Sequence, residues 1–215
     1  MVIGHSATGR RLVATELGDG TRRVAVLVVG CVHGDECAGT AITRRLRQAA
    51  VPPGVDLWLV DNLNPDGAAA GTRSNARGVD LNRNFPWAWH VTGADRTGLS
   101  AGTKRLSEPE TRAAYGLITA VRPDITIWYH QRMALVDLSG GDSRIQRAYA
   151  TRVGLPVARL ARYPGNASTW QARALPGTTA FVVELPGGRV KAASARRHAN
   201  AVMAAAGDAL SGVLG

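Results

Sequence analysis

The chain has 215 residues, 45% of them hydrophobic, and a formal net charge of +10 at pH 7, enough for one domain with a sizeable core and a preference for anionic partners. No apolar run approaches the roughly 18 residues of a membrane span, which excludes a helical membrane protein. Dispersed arginines, few aromatics and no helix-turn-helix, zinc-finger or RNA-binding pattern argue against a nucleic-acid partner and leave an anionic wall polymer equally suited to the charge.

Met1 is followed directly by Val2-Ile3-Gly4-His5, with neither a basic n-region nor an apolar h-region. A cytosolic chain and one trimmed at a mature boundary both fit that start. Residues 11–17 alternate as a strand, and Gly18-Asp19-Gly20 is a turn into a second strand over 22–30, so the pair is expected as a β-hairpin. Val24 to Val29 is rich in β-branched residues and short, the pattern of a buried strand. His33 and Glu36 stand at its exit on a glycine-flanked turn. A nitrogen and a carboxylate oxygen three residues apart can face one metal ion there, zinc being the usual guest. Alone, such a pair is more often an ordinary set of loop residues. Cys31 and Cys37 bracket the turn at a spacing that is not a zinc ribbon's. Two free buried thiols are the expectation, and a disulfide stapling the turn is the alternative for an exported protein.

Cys37 to Ala50 has helical spacing, with Ile42, Leu46 and Ala49 on one face and Pro52-Pro53-Gly54 as its end. Val55 to Val60 is a second buried strand that runs into the turn formers Asp61 to Gly67. Strand, helix, strand implies a right-handed parallel crossover, which sets the loops after Val29 and Val60 side by side at the carboxyl ends of the strands. The stretch 71–86 is too polar for a core segment, and Arg73, Arg77 and Arg83 have only Asp80 to offset them. Arginine in a loop beside a candidate metal suits two-toothed recognition of a carboxylate. A solvated basic loop is the plain alternative. Trp87-Ala88-Trp89-His90 suits a cleft wall, with His90 at the rim rather than on a metal.

Residues 94–105 read as loop, and Ser107 with Glu110 forms a capping box for a helix to about Val121. Ile125 to Tyr129 is a strand with His130 at its carboxyl end, which repeats the placement of His33 and makes His130 a candidate third ligand. A short strand over 134–138, a helix over 143–153, a loop over 163–169 and a helical turn over 170–175 follow. Thr178 to Val183 is the last core strand. Glu184 ends it, a carboxylate preceded by apolar residues, which suits a general base. Residues 190–214 form a long helix on the outside of the sheet, with His198 structural. The fold expected is α/β: a single domain over 1–215, with a mixed, mostly parallel twisted sheet flanked by helices and a zinc site at the carboxyl ends of the strands.

Over most of the chain, in order and spacing, these features resemble the zinc carboxypeptidase family: H-x-x-E at His33 and Glu36, N-P-D-G at 64–67, G-V-D-L-N-R-N-F at 78–85, His130 after one strand and Glu184 after another. The resemblance implies one zinc ion on His33, Glu36 and His130, with Glu184 as general base towards water and Arg73 as the oxyanion arginine. It also implies that Asn82 and Arg83 grip the substrate's terminal carboxylate, that Asp80 orients His33, and that Tyr163 matches the family's mobile active-site tyrosine. The base of the specificity pocket has no assigned residue, and 166–169 is the stretch where one would be sought. Two departures matter: the chain is shorter than the digestive carboxypeptidases, and Asp35 stands where that branch often has arginine. An animal-type substrate preference therefore does not follow.

The compact form most resembles the bacterial branch that includes murein-peptide amidases, which cut the γ-D-glutamyl bond to diaminopimelate. That implies a peptide substrate with a free terminal carboxylate, peptidoglycan-derived, and no nucleic-acid or membrane partner. A monomer in a secreted or cell-envelope location is expected, with the cytoplasm as the alternative. The runner-up is a zinc-dependent deacylase of N-acyl amino acids, similar to succinylglutamate desuccinylase and aspartoacylase. The full D-L-N-R-N-F run and N-P-D-G favour the peptidase. A non-catalytic, wall-binding descendant would be expected to lack a ligand or Glu184, and neither is missing.

Overall fold

In the computed structural model, residues 1–91, 100–138 and 140–212 are described. Strand β3 (Val24–Val29) is buried along its whole length, as an all-apolar strand must be when helices cover both faces of the sheet. Strand β4 (Val55–Val60) pairs with one of its edges and the start of strand β5 (Ile125–Asp137) with the other, both parallel. No edge of β3 is left for strand β2 (Arg11–Leu17). The expected hairpin of 11–17 with 22–30 therefore does not form: β2 pairs antiparallel with β4 and with strand β1 (Val2–His5). Its alternating burial suits that outer position.

Strand β7 (Thr179–Pro186) lies opposite β5 twice. From Ile125↔Thr179 to Arg132↔Pro186 the partner numbers rise together, and after a break Leu135↔Glu184 and Val136↔Val183 run the other way. A strand carries one ladder on each edge, and Glu184 faces both His130 and Leu135. It follows that β5 doubles back near Arg132–Met133 and that its two arms flank β7. The strands expected over 125–129 and 134–138 are thus the two arms of one run. Strand β6 (Val157–Ala158) pairs with the second arm.

Because side chains alternate across a strand, Val26, Val28, Ile127 and Phe181 join one core cluster and Leu27, Val29, Trp128 and Val182 the other. Helices α1 (Thr40–Leu46), α4 (Ser143–Val153) and α6 (Ala192–Leu210) pack on the first, and α3 (Pro109–Val121) and α5 (Ala167–Ala174) on the second. The helix expected over 37–50 is a 3-10 turn at Cys37–Gly39 followed by α1, which stops at Leu46, and Arg47 just beyond it pairs with Asp61 at 2.7 Å. Asp61 to Gly67 is more than a turn: Asn64 accepts the Gly67 N–H at 2.9 Å and caps helix α2 (Pro65–Ala70). The N-cap of α3 is Glu108 rather than Ser107, and the Glu110 carboxylate accepts instead from the Ala7 N–H and Asn75 Nδ2. Cys31 and Cys37 are joined as a disulfide, in place of the two free thiols expected. Part of the loop expected over 94–105 lies outside the described residues, and the helix expected over 190–214 is α6, which starts at Ala192 and ends at Leu210 with a turn at Ser211–Gly212. Among the described residues no helix is long and apolar enough to cross a membrane.

Candidate active site

The ligand turn leaves β3 at Gly30 and is pressed against α2. A side chain at Gly34 would collide with the Gly67 backbone, so glycine is what lets the H-x-x-E turn and the N-P-D-G cap lie together. His33, Glu36 and His130 are all buried, and their ligand atoms converge. His33 Nδ1 is 3.0 Å from Glu36 Oε2, His130 Nδ1 is 3.1 Å from the same oxygen, and the two Nδ1 atoms are 3.1 Å apart.

The other ring nitrogen of His33 decides what that convergence means. His33 Nε2 is 3.0 Å from Asp80 Oδ1, and as a donor to that carboxylate it leaves the Nδ1 lone pair free in the neutral ring. Burial pushes His130 down to about 4, which keeps its ring neutral. Two imidazole lone pairs and a carboxylate oxygen aimed at one point repel unless a cation lies between them. The set fits a metal ion with nitrogen and oxygen ligands. Burial also works to lower the His33 pKa, but Asp80 outweighs it and the net direction is upward, the added basicity that a carboxylate partner confers on a ligating histidine.

Arg73 closes this end of the cleft. Its Nη1 donates to Glu36 Oε1 at 2.5 Å and its Nε to Asp80 Oδ2 at 3.1 Å. Burial works to raise the Asp80 carboxyl, but His33, Arg73 and Arg83 hold it well below the usual carboxylate range. In Glu36 the hydrogen bonds with His130 and His33 likewise outweigh burial and lower the carboxyl. Glu184 lies opposite His130 across the β5–β7 ladder, which puts both side chains on one face of the sheet. Burial raises its carboxyl, only partly offset by the Met133 N–H.

The far wall comes from the arginine loop and the segment before α5. Asn82 Oδ1 accepts the Ala167 N–H at 2.9 Å, and the Arg83 guanidinium sits 4.4 Å over the Tyr163 ring. Gly165 joins the two segments. At φ +72 it abuts the Arg83 backbone, where a side chain would collide, and it exchanges hydrogen bonds with Trp87 and Phe85. His33, Glu36, Arg73, Asn82, Arg83, His130, Tyr163 and Glu184 all line the resulting cleft of about 440 Å³, with Asp80 buried behind His33, whereas Trp87, Ala88 and Trp89, expected as a cleft wall, do not line it. Nor does His90, which is exposed beside the Ala88 carbonyl. Sequence reasoning missed the part of the lining contributed by Asp137 and Val182, which belong to no motif and reach the cleft through strand pairing, and by Leu160, whose N–H donates to Asp137.

A sequence model described as zinc carboxypeptidase matches residues 1–151. The chain belongs to the zinc carboxypeptidase family. As a member of it the protein is a zinc metallopeptidase, and the converging triad is a set able to bind the ion. Murein peptide amidase A of Escherichia coli K12 is 32% identical over 188 residues, covering 78% of this chain and 74% of that protein. The crystal structure of murein-tripeptide amidase MpaA from Escherichia coli O157 aligns with a TM-score of 0.75 at 26% identity, over 95% of this chain and 89% of that one. Carboxypeptidase A from Helicoverpa armigera aligns with a TM-score of 0.83 over 98% of this chain and 68% of that one. At 17% identity it shows the shared zinc carboxypeptidase fold alone. The deacylase runner-up is not favoured, since the matching family model is that of zinc carboxypeptidases and the similar proteins from Escherichia coli are murein peptide amidases.

Proposed function

We propose that this zinc carboxypeptidase hydrolyses murein peptides at the bond before a C-terminal residue with a free carboxylate, the γ-D-glutamyl bond to diaminopimelate being its target. The observation that carries the reading is the convergence of His33, Glu36 and His130 on one point, with Glu184 beside them on the same face. The likeness to murein peptide amidase A supports the substrate, and the net charge of +10 supports an anionic wall partner. The Cys31–Cys37 bond supports an exported or envelope location. We read the protein as a monomer.

In this reading His33, Glu36 and His130 hold the zinc, which when bound supplies a Lewis acid and brings the pKa of water towards about 7. Asp80 fixes the tautomer of His33. Glu184 takes a proton from the attacking water and returns it to the leaving amine. Its raised pKa moves it towards the working pH, where a group that must both accept and donate is most effective. Arg73 meets the oxyanion as its charge develops. Arg83 and Asn82 take the terminal carboxylate, and the Tyr163 ring under the guanidinium holds its plane in place.

The deciding assay offers zinc-loaded protein a γ-D-glutamyl-diaminopimelate tripeptide, a hippuryl dipeptide and an N-acyl amino acid. The wall tripeptide should be cleaved fastest. Faster cleavage of the hippuryl substrate would make the protein a general carboxypeptidase, and cleavage of the N-acyl amino acid alone would restore the deacylase.

A further inference from the structure

Helix α6 packs against both α1 and α4, so the three form one layer over the first core cluster. Their sequences are lopsided in charge: together they hold seven arginines, and Asp208 is their one carboxylate. Asp208 is tied to Arg152 at 2.8 Å, and Asp142 at the N-cap of α4 is tied to Arg144 at 2.7 Å. Arg44 and Arg45 on α1, Arg147 on α4, and Arg196 and Arg197 on α6 are exposed and, among the described residues, have no carboxylate within ion-pair distance.

The opposite layer differs. Helices α3 and α5 carry Arg112 and Arg173 against Glu110, and both of these arginines have partners within the molecule. Arg112 donates to the Leu106 and Ser107 carbonyls at 2.9 and 2.6 Å, and the Arg173 guanidinium lies 5.4 Å over the Trp87 ring. Like charges gathered on one face repel each other in the free protein. A polyanion laid across them relieves that repulsion and releases its condensed counterions.

The chemistry of the face narrows the partner. A guanidinium meets a phosphodiester through two parallel N–H donors, which an ammonium cannot present. Among the described residues, none of the large exposed hydrophobic side chains lies on these helices, so the face has nothing to bury in a lipid layer. It offers no exposed aromatic ring on which the bases of a single strand could stack. No residue of the three helices lines the cleft, so a polymer held here leaves the metal cluster open to substrate.

We propose that the layer of α1, α6 and α4 is a docking surface for an anionic phosphodiester polymer of the cell wall, a polyol phosphate, which holds the enzyme beside its peptide substrate. The choice of a wall polymer rests on the wall-peptide reading. The cationic face itself does not.

The test measures binding of the zinc-loaded protein to polyglycerol phosphate freed of its lipid, to duplex DNA, and to vesicles of phosphatidylglycerol, which carries the same headgroup chemistry in a bilayer. The polymer should bind most tightly of the three. With one phosphate on each of the five arginines, its affinity should fall about 100-fold between about 50 and 200 mM salt. Two triple variants separate position from net charge. Arg44→Gln with Arg147→Gln and Arg196→Gln should lower the slope of log affinity against log salt by about two, and should leave kcat/KM on the free γ-D-glutamyl-diaminopimelate tripeptide unchanged. Lys104→Gln with Arg105→Gln and Arg122→Gln removes the same charge from exposed positions flanking α3 and should leave the slope as in wild type. Equal losses by both triples would mean that net charge alone acts, which overturns the proposal. Tighter binding to DNA or to the vesicles overturns it too, as does no binding to the polymer. If the polymer binds through the three helices while no wall peptide is cleaved, the docking surface stands and the wall-peptide reading fails.

Discussion

Single side chains in the cleft carry separable tasks, and two substitutions separate them. Glu184→Gln keeps the shape of the side chain but cannot accept a proton, so zinc content and fold should persist while turnover falls by about 100- to 10,000-fold. In wild type the acid limb of kcat/KM should lie above the pKa of about 4.3 of an ordinary glutamate, because burial raises Glu184 and the base works only when ionised. Activity is therefore lost as pH falls through that raised value. Equal turnover by Glu184→Gln would remove it as the base. Arg73→Ala should lower kcat more than it raises KM, since the oxyanion exists only in the transition state. A change confined to KM would place Arg73 in ground-state binding instead.

At the scale of elements, the site depends on segments held against each other at close range. Removing the disulfide with Cys31→Ser and Cys37→Ser releases a loop with a sequence separation of 6 between the cysteines, for which the chain-entropy estimate is about 2 kcal/mol. Denaturant titration should show that loss, and the apparent zinc affinity should fall because the ligand turn lies inside the loop. Unchanged affinity would mean that α2 alone holds the turn. Gly165→Ala acts at the other wall. Positive φ and the Arg83 backbone both oppose a side chain there, so the Tyr163 segment must shift away from Arg83. KM for a substrate with a free carboxylate should rise about tenfold or more, as expected for the weakening of a charged hydrogen-bond pair, while zinc content stays at one equivalent.

For the molecule as a whole, pH dependence should pass through a histidine remote from the chemistry. His198 on α6 lies 2.8 Å from Tyr149 Oη, which is 2.6 Å from Tyr129 Oη, so one buried chain of polar groups links α6, α4 and the sheet. Burial pushes His198 down to about 4, against roughly 6.5 in an unfolded chain. As pH falls, the unfolded state takes up this proton first, so stability is lost between about 6.5 and 4, up to about 3 kcal/mol from this group. Thermal melts at pH 7.5 and 4.5 should show a smaller acid loss for His198→Asn than for wild type. Equal losses would mean that other groups set the acid limit.

Much of the site is legible in the sequence because its parts are local. The apolar run Val24 to Val29, the H-x-x-E turn after it and the polar arginine loop each announce themselves within a few residues. Asn64-Pro65 carries a helix-start signal, an N-cap followed by proline, that reads as a turn when only turn formers are counted. What the tertiary structure alone decided is which strand edges meet. β2 reaches β4 and not β3 because β3 is already paired on both sides, and β5 flanks β7 because it doubles back. That pairing sets His130 beside Glu184 and carries Asp137 to the cleft wall. Alternation of apolar residues dictates which face a side chain takes, whereas competition among all strands for a limited number of edges dictates which neighbour it finds there, and no short stretch of the chain contains that competition.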